Sequence, residues 1–418
     1  MASVVSIVYP VCCGIDVHKN FLVACIATTD ANNHTNHQIR RFSTNTGDLR
    51  KLADWLLASN CKDVCMESTG KYWIPVFNIL EKTCNVCLTH PKYVKAIKGK
   101  KTDKKDAKWI SELFKCDLIR SSFIPPHDIR QLRDLCRYHG KLTYMAVSEK
   151  NRAQNCLTLC NFKLDAVFSD VFGASATRIL DQIIESGNSD FDIKPLLHKS
   201  CKASVEEVQA AIDGEFSMPQ SEKLRLIRLH LKYLIALNDS LEEYILELAE
   251  PFMPHVSLLM SVPGVGNPFT AIRILAEIGA DMSVFETSKH LCSWAGLTPQ
   301  NNESANKKKT TRISRAGAYL KPLLVQIALA VVKSNKHPEL KDKYQALKKR
   351  RGHKKSIIAI ARKLLTAIWH IFSKNVPYNA SLYRKVDRPP IQRVLTPEQA
   401  FALLRKKGFV ILEPEHSA

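Results

Sequence analysis

The sequence predicts an α/β domain with a mixed sheet at the N-terminus, two long helices in the middle and a mainly helical C-terminal unit. Three observations support this class. Short apolar segments alternate with amphipathic ones over residues 1–125. Two long stretches of helical periodicity, 128–160 and 220–250, contain no proline. Beyond residue 253, loops with glycine and proline separate further helical segments. Mixed short segments predict a sheet covered by helices, and long uninterrupted helical periods predict paired helices.

The N-terminal elements follow one another closely. VCCGIDVHKNFLVACIATTD, which begins at Val11, predicts two strands joined by a tight turn, and IRRFST predicts a third. TGDLRKLADWLLAS has helical spacing, with Thr46 as a possible N-cap. A strand (DVCME), a helix (YWIPVFNILEK), a strand (NVCLTH) and a helix beginning near Asp103 come next. Strands followed by alternating strands and helices predict a mixed sheet.

The two long helices flank a smaller helical insert, so they predict an antiparallel coiled-coil arm that Pro251 ends. After the arm, NNESANKKKTTRISRAG predicts an exposed loop, and KKRRGHKK predicts a basic entry into an apolar helix. A proline-rich linker and a short helix close the chain. The predicted domains are an α/β domain at 1–125, an arm at 126–252 with its insert at about 161–215, a C-terminal unit at 253–385 and an extension at 386–418.

The charge balance favours polyanionic partners. The chain carries 61 Lys and Arg against 40 Asp and Glu, a formal net charge of +21. Such an excess binds nucleic acid because neutralised phosphates release counterions, although a basic ribosomal or membrane-surface protein could share it. No apolar run reaches the roughly 18 to 20 residues that span a bilayer, and the N-terminus lacks a basic region and a cleavage site. We therefore expect a cytoplasmic protein without a membrane partner.

The cysteines also fit the cytoplasm. There are 13 of them, scattered and mostly in apolar stretches. The one Cys-x-x-Cys pair, Cys84 and Cys87, lies in a predicted strand, where positions three apart point to opposite faces. We expect reduced, packed thiols rather than a metal or redox site.

Four carboxylates predict a metal site. Asp16 and Glu67 each end a predicted strand, and Asp103 and Asp106 lie one turn apart on one face of a predicted helix. Clustered carboxylates repel one another, and a divalent cation such as Mg²⁺ relieves the repulsion. Two cations roughly 3.5 to 4 Å apart stabilise the attacking and leaving oxygens of phosphoryl transfer. The alternative is a solvated helix start. The neighbouring lysines would contact phosphates: Lys100, Lys101, Lys104 and Lys105.

Several blocks resemble the insertion-sequence-110 transposases: GIDVHKNFLVACI, CMESTGKYWIPVFNIL, HPKYVKAIKGKKTDKKDAKWISELF and the later SVPGVGNP, AGLTPQNNESANKKKTTRISRAG series. The resemblance covers roughly residues 12–378 in order. It implies an RNase H-like (RuvC-like) fold for residues 1 to about 125 and a separate C-terminal transposase domain. It also places the family's acidic tetrad on Asp16, Glu67, Asp103 and Asp106, with Mg²⁺ or Mn²⁺ as cofactor. His18, beside Asp16, is a supporting residue without an assigned proton role.

The polar loop offers a serine, Ser304, for catalysis. From residue chemistry alone, a serine in a polar loop usually has no catalytic role, because its hydroxyl is a poor nucleophile until it is deprotonated or bound to a metal. The resemblance implies that Ser304 attacks DNA and forms a phosphoserine link. It implies further that one subunit lends the serine to another in a dimer or tetramer, and that a structured RNA guides the enzyme to donor and target DNA. Further phosphate contacts are predicted at Lys307, Lys308, Lys309, Arg312, Arg315, Lys348, Lys349, Arg350 and Arg351.

Three functions remain open from the sequence. The leading hypothesis is an RNA-guided transposase or recombinase that cuts and rejoins DNA through Ser304 and the acidic tetrad. The second is a metal-dependent nuclease of the Holliday-junction type, in which water attacks the phosphate. The third is a non-catalytic nucleic-acid scaffold, which the tetrad disfavours.

Overall fold

Five strands near the N-terminus form one mixed sheet in the computed structural model. They are β1 (Val11–Val17), β2 (Phe21–Thr29), β3 (Thr35–Ser43), β4 (Asp63–Glu67) and β5 (Asn85–Thr89). Their order is β3-β2-β1-β4-β5. β2 is antiparallel to β1 and β3, whereas β4 is parallel to β1 and β5. The predicted mixed sheet is therefore confirmed, and its parallel strands end at one edge.

The described part of the chain leaves out several short segments. The structure describes residues 6–68, 70–92, 94, 102–199, 201–299, 302–304, 307–310, 312–382 and 396–409. Side chains are described over the same ranges except at 302–304, 307–310, 397 and 399.

Helices cover both faces of the sheet: α1 (Thr46–Ala58), α2 (Trp73–Leu80) and α3 (Asp103–Lys115). Side chains alternate across a strand, so Ile15 of β1 packs in the same cluster as α1 and α2, whereas Cys12 packs with Ile110 and Phe114 of α3. Asn45, not Thr46, is the residue before the first turn of α1, so the predicted N-cap was wrong by one position. The extended φ and ψ of Asn45 mark the true boundary.

The thiols pack as the sequence predicted. Cys84 lies in the cluster on the α1 and α2 face, and Cys87 packs on the opposite face against the cluster that contains α3. All 13 cysteines are free.

The middle of the chain is a pair of long helices with an insert between them. The helices are α4 (His127–Leu159), α5 (Leu164–Val167), α6 (Ala174–Ser186), α7 (Val205–Ala211) and α8 (Met218–Leu248). α4 and α8 run antiparallel, because Nε2 of His139 lies 3.7 Å from Glu242 and Nδ1 of His230 lies 3.0 Å from Glu149. The insert builds its own core around the far ends of both helices, at Leu157 and Leu224 among others.

The C-terminal unit is mainly helical. It contains α9 (Met253–Met260), α10 (Pro268–Ile278), α11 (Ser288–Trp294), β6 (Asn302–Ser304), β7 (Lys307–Thr310), α12 (Leu320–Lys333), α13 (Pro338–Arg351) and α14 (His353–Lys374). One more helix, α15 (Pro397–Lys406), lies in the predicted extension. The largest hydrophobic cluster lies in the C-terminal unit, and Leu132 of α4 and Ile245 of α8 belong to it. The two long helices are therefore anchored in the C-terminal core at their near ends.

Two predictions about the C-terminal unit need correction. The predicted exposed loop contains the antiparallel strands β6 and β7, because the backbone of its central part pairs with itself. The basic run KKRRGHKK is not only a helix entry. Lys348–Arg351 form the last turn of α13, and Gly352, with φ of 78°, separates it from α14. Cations at a helix C-terminus interact favourably with the helix dipole, which accounts for part of this run without a ligand.

α14 is, within the described residues, the one helix long and apolar enough to cross a membrane. Its apolar side chains, including Ile360, Leu365 and Ile368, are instead buried in the C-terminal core. The helix therefore behaves as a core helix in this fold.

Candidate metal centre

Asp16 lies near the end of β1, on the face of the sheet that α3 covers. It is two residues after Gly14 and four after Cys12, so all three side-chain positions share this face. Asp16 is only 9% exposed, although it is a carboxylate. A buried carboxylate needs a partner of opposite charge or a proton, because desolvation penalises the charged form.

Gly14 lets α3 approach the strand closely. A Cβ built on Gly14 would lie 2.4 Å from the carbonyl oxygen of Ala107 and 2.4 Å from the amide nitrogen of Ser111, both on α3. Only a glycine permits that approach. The hydroxyl of Thr102 caps the helix by accepting a hydrogen bond from the amide of Lys105. The first turn of α3, which carries Asp103 and Asp106, is thereby held beside the end of β1.

His18 lies between two of the carboxylates. Its Nε2 atom is 3.3 Å from Oδ2 of Asp16 and 3.4 Å from Oδ1 of Asp103. One ligand atom from each of the three side chains lies within 4.8 Å of the other two. The Nε2 atom is buried and has no partner in hydrogen-bonding geometry, although it lies within ion-pair distance of the Asp16 carboxylate. Three potential ligands therefore converge on one small region.

Electrostatics brings in the other two predicted carboxylates. Burial raises the pKa of Asp16 above its usual range, and the negative charges of Asp106, Glu67 and Asp103 raise it further, whereas His18 opposes them. Glu67 ends β4 next to β1 in the sheet, and Asp106 lies one turn after Asp103. Among the described residues, Asp103 shares the group of potential ligand atoms with Asp16 and His18, whereas Glu67 and Asp106 are connected to Asp16 by the effect of their charges on its pKa.

This arrangement suits a divalent cation. Crowded carboxylates supply the hard oxygen ligands that Mg²⁺ and Mn²⁺ prefer, and a positive ion would offset the repulsion that raises the pKa of Asp16. The buried, unsatisfied Nε2 of His18 is a further potential ligand atom. The residues present therefore fit a metal centre at the edge where the parallel strands end.

His18 was predicted only to support Asp16, but in the structure it belongs to the group of potential ligands, together with Asp16 and Asp103. The available signal was its position two residues after Asp16, where β1 turns into β2. The amide of His18 donates to the carbonyl of Phe21 across this turn, and the two rings lie 4.7 Å apart. The turn therefore orients the imidazole toward the carboxylates.

The predicted phosphate contacts are spread over two regions. Lys104 and Lys105 are exposed on α3, beside Asp103. Arg312 and Arg315 are exposed after β7, and the four basic residues Lys348, Lys349, Arg350 and Arg351 are exposed on α13. Their roles stay predictions. Lys100 and Lys101 lie outside the described residues, as do the side chains of Lys307, Lys308 and Lys309.

Ser304 is the last residue of β6, where its backbone pairs with Lys307 of β7. Its side chain lies outside the described residues, so its relation to the carboxylates stays a prediction. Trp294, at the end of α11, packs against Phe123 and Phe285.

The fold and the site together define an α/β domain with an acidic centre suited to divalent cations. A family model for transposases matches residues 13–162, and a second, for transposases of the IS116/IS110/IS902 family, matches residues 256–345. Together they match more than half of the chain. The chain belongs to this family of transposases.

Individual relatives match over shorter spans. A transposase for insertion sequence element IS1111A from Coxiella burnetii is 32% identical over 29% of this chain and 33% of its own length. A pilin gene-inverting protein from Moraxella bovis is 31% identical over 30% of this chain and 39% of its own length. The chain thus spans little more than a third of the curated relatives it matches. A fowlpox virus resolvase, solved with Holliday junction DNA, is 18% identical over 25% of this chain and 72% of its own, with a TM-score of 0.18.

Proposed function

We propose that this protein is a metal-dependent transposase or recombinase that cuts and rejoins DNA strands. The observation that carries the proposal is the convergence of Asp16, His18 and Asp103, whose ligand atoms lie within 4.8 Å of one another. The negative charges of Glu67 and Asp106 also raise the pKa of Asp16. The strand order, with three antiparallel strands followed by two parallel ones, supports an RNase H-like assignment for residues 1–125. The net charge of +21 supports DNA as the substrate.

The carboxylates have one main task, which is to hold the cations. Asp16, Glu67, Asp103 and Asp106 are the proposed ligands, with His18 beside them. Mg²⁺ or Mn²⁺, when bound, neutralises the charge that develops on the phosphate oxygens. Lys104 and Lys105 on the exposed side of α3 contact neighbouring phosphates and fix the strand in place.

Ser304 is the proposed nucleophile. Its hydroxyl loses a proton as Oγ attacks the phosphorus, and the bond from phosphorus to a deoxyribose oxygen breaks. That oxygen leaves as a hydroxyl after it takes up a proton. The reverse attack, by a deoxyribose hydroxyl from another strand on the phosphoserine, rejoins DNA and restores the serine. Arg312 and Arg315, both exposed near the hairpin, would balance the phosphate charge.

The finer parts of the proposal concern partners. We propose a homo-oligomer, dimer or tetramer, in which the serine and the carboxylates of one site come from different subunits. We also propose a structured guide RNA that reads donor and target DNA by base pairing while the protein contacts phosphates and shape. The long antiparallel pair α4 and α8, as a coiled-coil arm, offers a surface for assembly.

The deciding experiment compares Ser304→Ala with Asp16→Asn on labelled DNA with co-purified RNA. Asp16→Asn should lower cleavage and rejoining by at least about 100-fold, because it removes a ligand at the centre of the cluster. Ser304→Ala should abolish rejoining and the covalent protein–DNA adduct that mass spectrometry maps to Ser304 in the unaltered protein. Excess chelator should stop the unaltered protein, and added Mg²⁺ should restore it.

Two results would contradict the proposal. If Ser304→Ala still nicks DNA at the original rate without an adduct, the enzyme is a nuclease that uses water. If neither Asp16→Asn nor chelation changes any activity, the acidic cluster is not catalytic. Ser283→Ala, on the loop after α10, is the matched serine control, because Ser283 interacts with Asp281 and lies outside the proposed site.

A further inference from the structure

A cavity of about 720 Å³ lies where α2, the start of α4 and the end of α8 meet. Its volume falls in the usual range of roughly 300 to 1,000 Å³ for ligand sites, and such sites favour interfaces between structural units. Lys71 and Trp73 in its wall follow Glu67 by four and six residues. Leu88 of β5, whose neighbour Thr89 pairs with Glu67, also lines the cavity. The cavity therefore lies at the end of the parallel strands, on the face that α2 covers, and the acidic centre lies at the same end on the face that α3 covers.

Two aromatic side chains give the cavity its apolar surfaces. Tyr244 of α8 is 53% exposed. Trp73 is half-buried, with its ring edge-on to Phe77 at 5.7 Å between centroids. Within the described residues, neither the indole nitrogen of Trp73 nor the hydroxyl of Tyr244 has a hydrogen-bond partner. Aromatic faces of this kind stack on any unstacked base.

The polar groups of the wall fall into two sets. Arg130 and Arg137 are already committed to bidentate pairs with Glu81 and Glu277, and Arg133 donates to backbone carbonyls. Lys71 and Gln131 are exposed and, among the described residues, unpaired. The cation of Lys71 is thus available to a phosphate, and the amide of Gln131 to the edge of a base.

Asp134 narrows the choice of base. It lies one turn after Gln131 on α4, is exposed and lines the same cavity. A carboxylate accepts hydrogen bonds but repels a phosphate, so it suits a base with an exocyclic amino group, which cytosine, adenine and guanine have and thymine and uracil lack. Asp134 thus offers a carboxylate acceptor to the edge of a base, and Gln131 offers an amide that can donate or accept.

We propose that this cavity receives one unstacked, amino-bearing base of a nucleic-acid strand that runs past the sheet edge to the acidic centre. The base stacks on Trp73 and Tyr244, its amino group donates to Asp134, and Lys71 contacts the adjoining phosphate. This inference rests on the proposed function, since the strand is the one whose phosphate enters the carboxylate cluster. DNA and RNA strands share this chemistry, so the test compares them.

The test uses the full-length protein with its co-purified RNA and single-stranded oligonucleotides that carry one 5-iodocytosine. One oligonucleotide is DNA and the other is RNA of the same sequence. Ca²⁺ replaces Mg²⁺ so that binding is measured without cleavage. Irradiation should crosslink the iodinated base to Trp73 or Tyr244, as mapped by mass spectrometry, and the strand that crosslinks identifies the natural source of the base.

A pair of matched variants measures the contribution of stacking. Tyr244→Ala should weaken binding of the crosslinking strand by roughly tenfold, the scale of one lost base–aromatic stack. Tyr233→Ala is the control, because Tyr233 is a 61% exposed tyrosine on the same helix and does not line the cavity. Tyr233→Ala should bind as the unaltered protein does.

The outcomes separate the two proposals. Crosslinks that map elsewhere, together with unaltered affinity in Tyr244→Ala, would overturn the cavity inference and leave the proposed function standing. Crosslinks at Trp73 or Tyr244 in a protein that never cleaves DNA in Mg²⁺ would support the cavity and sink the proposed function.

Discussion

At the scale of single residues, the acidic centre depends on one glycine as much as on its acids. Asp16 can meet Asp103 only because α3 lies against the backbone of β1 at Gly14. The neighbouring backbone atoms of α3 cannot move aside as a flexible side chain could. Any side chain at position 14 must therefore displace the helix that carries Asp103 and Asp106.

Gly14→Ala tests this dependence. The added Cβ, 2.4 Å from two backbone atoms of α3, should lower the free energy of unfolding by about 1 to 3 kcal/mol. Because a misplacement of about 1 Å can cost about 100-fold in rate, DNA cleavage should fall by about that factor. Thermal unfolding and a cleavage assay measure the two effects.

Gly47→Ala is the matched control. Gly47 lies in the first turn of α1, and a Cβ there meets no atom within 4 Å. Alanine favours a helix over glycine, so this variant should be as stable as the original protein or slightly more so, with full activity. Equal stability and activity in Gly14→Ala would refute the close-approach argument.

At the scale of elements, α4 joins all three parts of the chain. Its polar side chains contact α2, α8 and α10: Arg130 donates to Asn78, His139 lies near Glu242, and Arg137 pairs with Glu277. His139 is an example: it is buried, its ring lies 4.4 Å from that of Phe269 on α10, and Glu242 of α8 is 3.7 Å away. Burial and the positive charge of Arg273 lower the pKa of His139, although Asp239 opposes them.

The lowered pKa predicts an acid-sensitive helix packing. The folded protein favours neutral His139, whereas the unfolded chain takes up a proton near its ordinary pKa of about 6.5. The stabilisation is therefore complete above about pH 6.5 and is lost as the pH falls toward the lower folded pKa, with a slope of at most about 1.4 kcal/mol per pH unit. Urea unfolding between about pH 7.5 and pH 5.5 should show this loss.

His139→Leu should reduce the acid sensitivity relative to the original protein, because the buried group that takes up the proton is gone. His34→Leu serves as the control, since the side chain of His34 is 85% exposed at the turn between β2 and β3. If both variants keep the original pH profile, burial of His139 does not govern it.

At the scale of the whole molecule, arginines on α4 connect the acidic domain to the C-terminal unit. Arg130 forms a bidentate pair with Glu81 at the end of α2 and donates to Asn78. Arg137 forms a second bidentate pair with Glu277 of α10. Burial lowers the pKa of Arg133, between them, to about 10, which still leaves it charged at neutral pH. These contacts hold the acidic centre in a fixed place relative to the C-terminal core.

Arg130→Ala should uncouple the two units. It removes charge-assisted hydrogen bonds from a half-buried pair, at a cost of about 2 kcal/mol, and leaves Glu81 without its cation. Calorimetry should then resolve a separate, earlier transition for the acidic domain. Arg225→Ala, which breaks the exposed bidentate pair with Glu222 on α8, should leave the unfolding profile unchanged. A single unshifted transition in Arg130→Ala would show that the arginine does not couple the units.

The sequence by itself determined the local elements and the acidic residues. Apolar alternation predicted β1, β2 and β4, helical periodicity predicted α4 and α8, and position at strand or helix ends singled out Asp16, Glu67, Asp103 and Asp106. These features depend on residues that are close together in the sequence, so they can be predicted from the local pattern. The prediction from sequence was wrong where an element depends on backbone pairing: the segment predicted as an exposed loop contains the hairpin of β6 and β7.

Only the tertiary structure decided how distant parts meet. The contact of α3 with Gly14, the place of His18 between two carboxylates, and the cavity between α2, α4 and α8 all join residues that are far apart in sequence or on different elements. Such contacts depend on how closely two backbones approach each other and on which side chains line the same cavity. No periodicity in one segment encodes that distance, because it is set by the packing of all the segments at once.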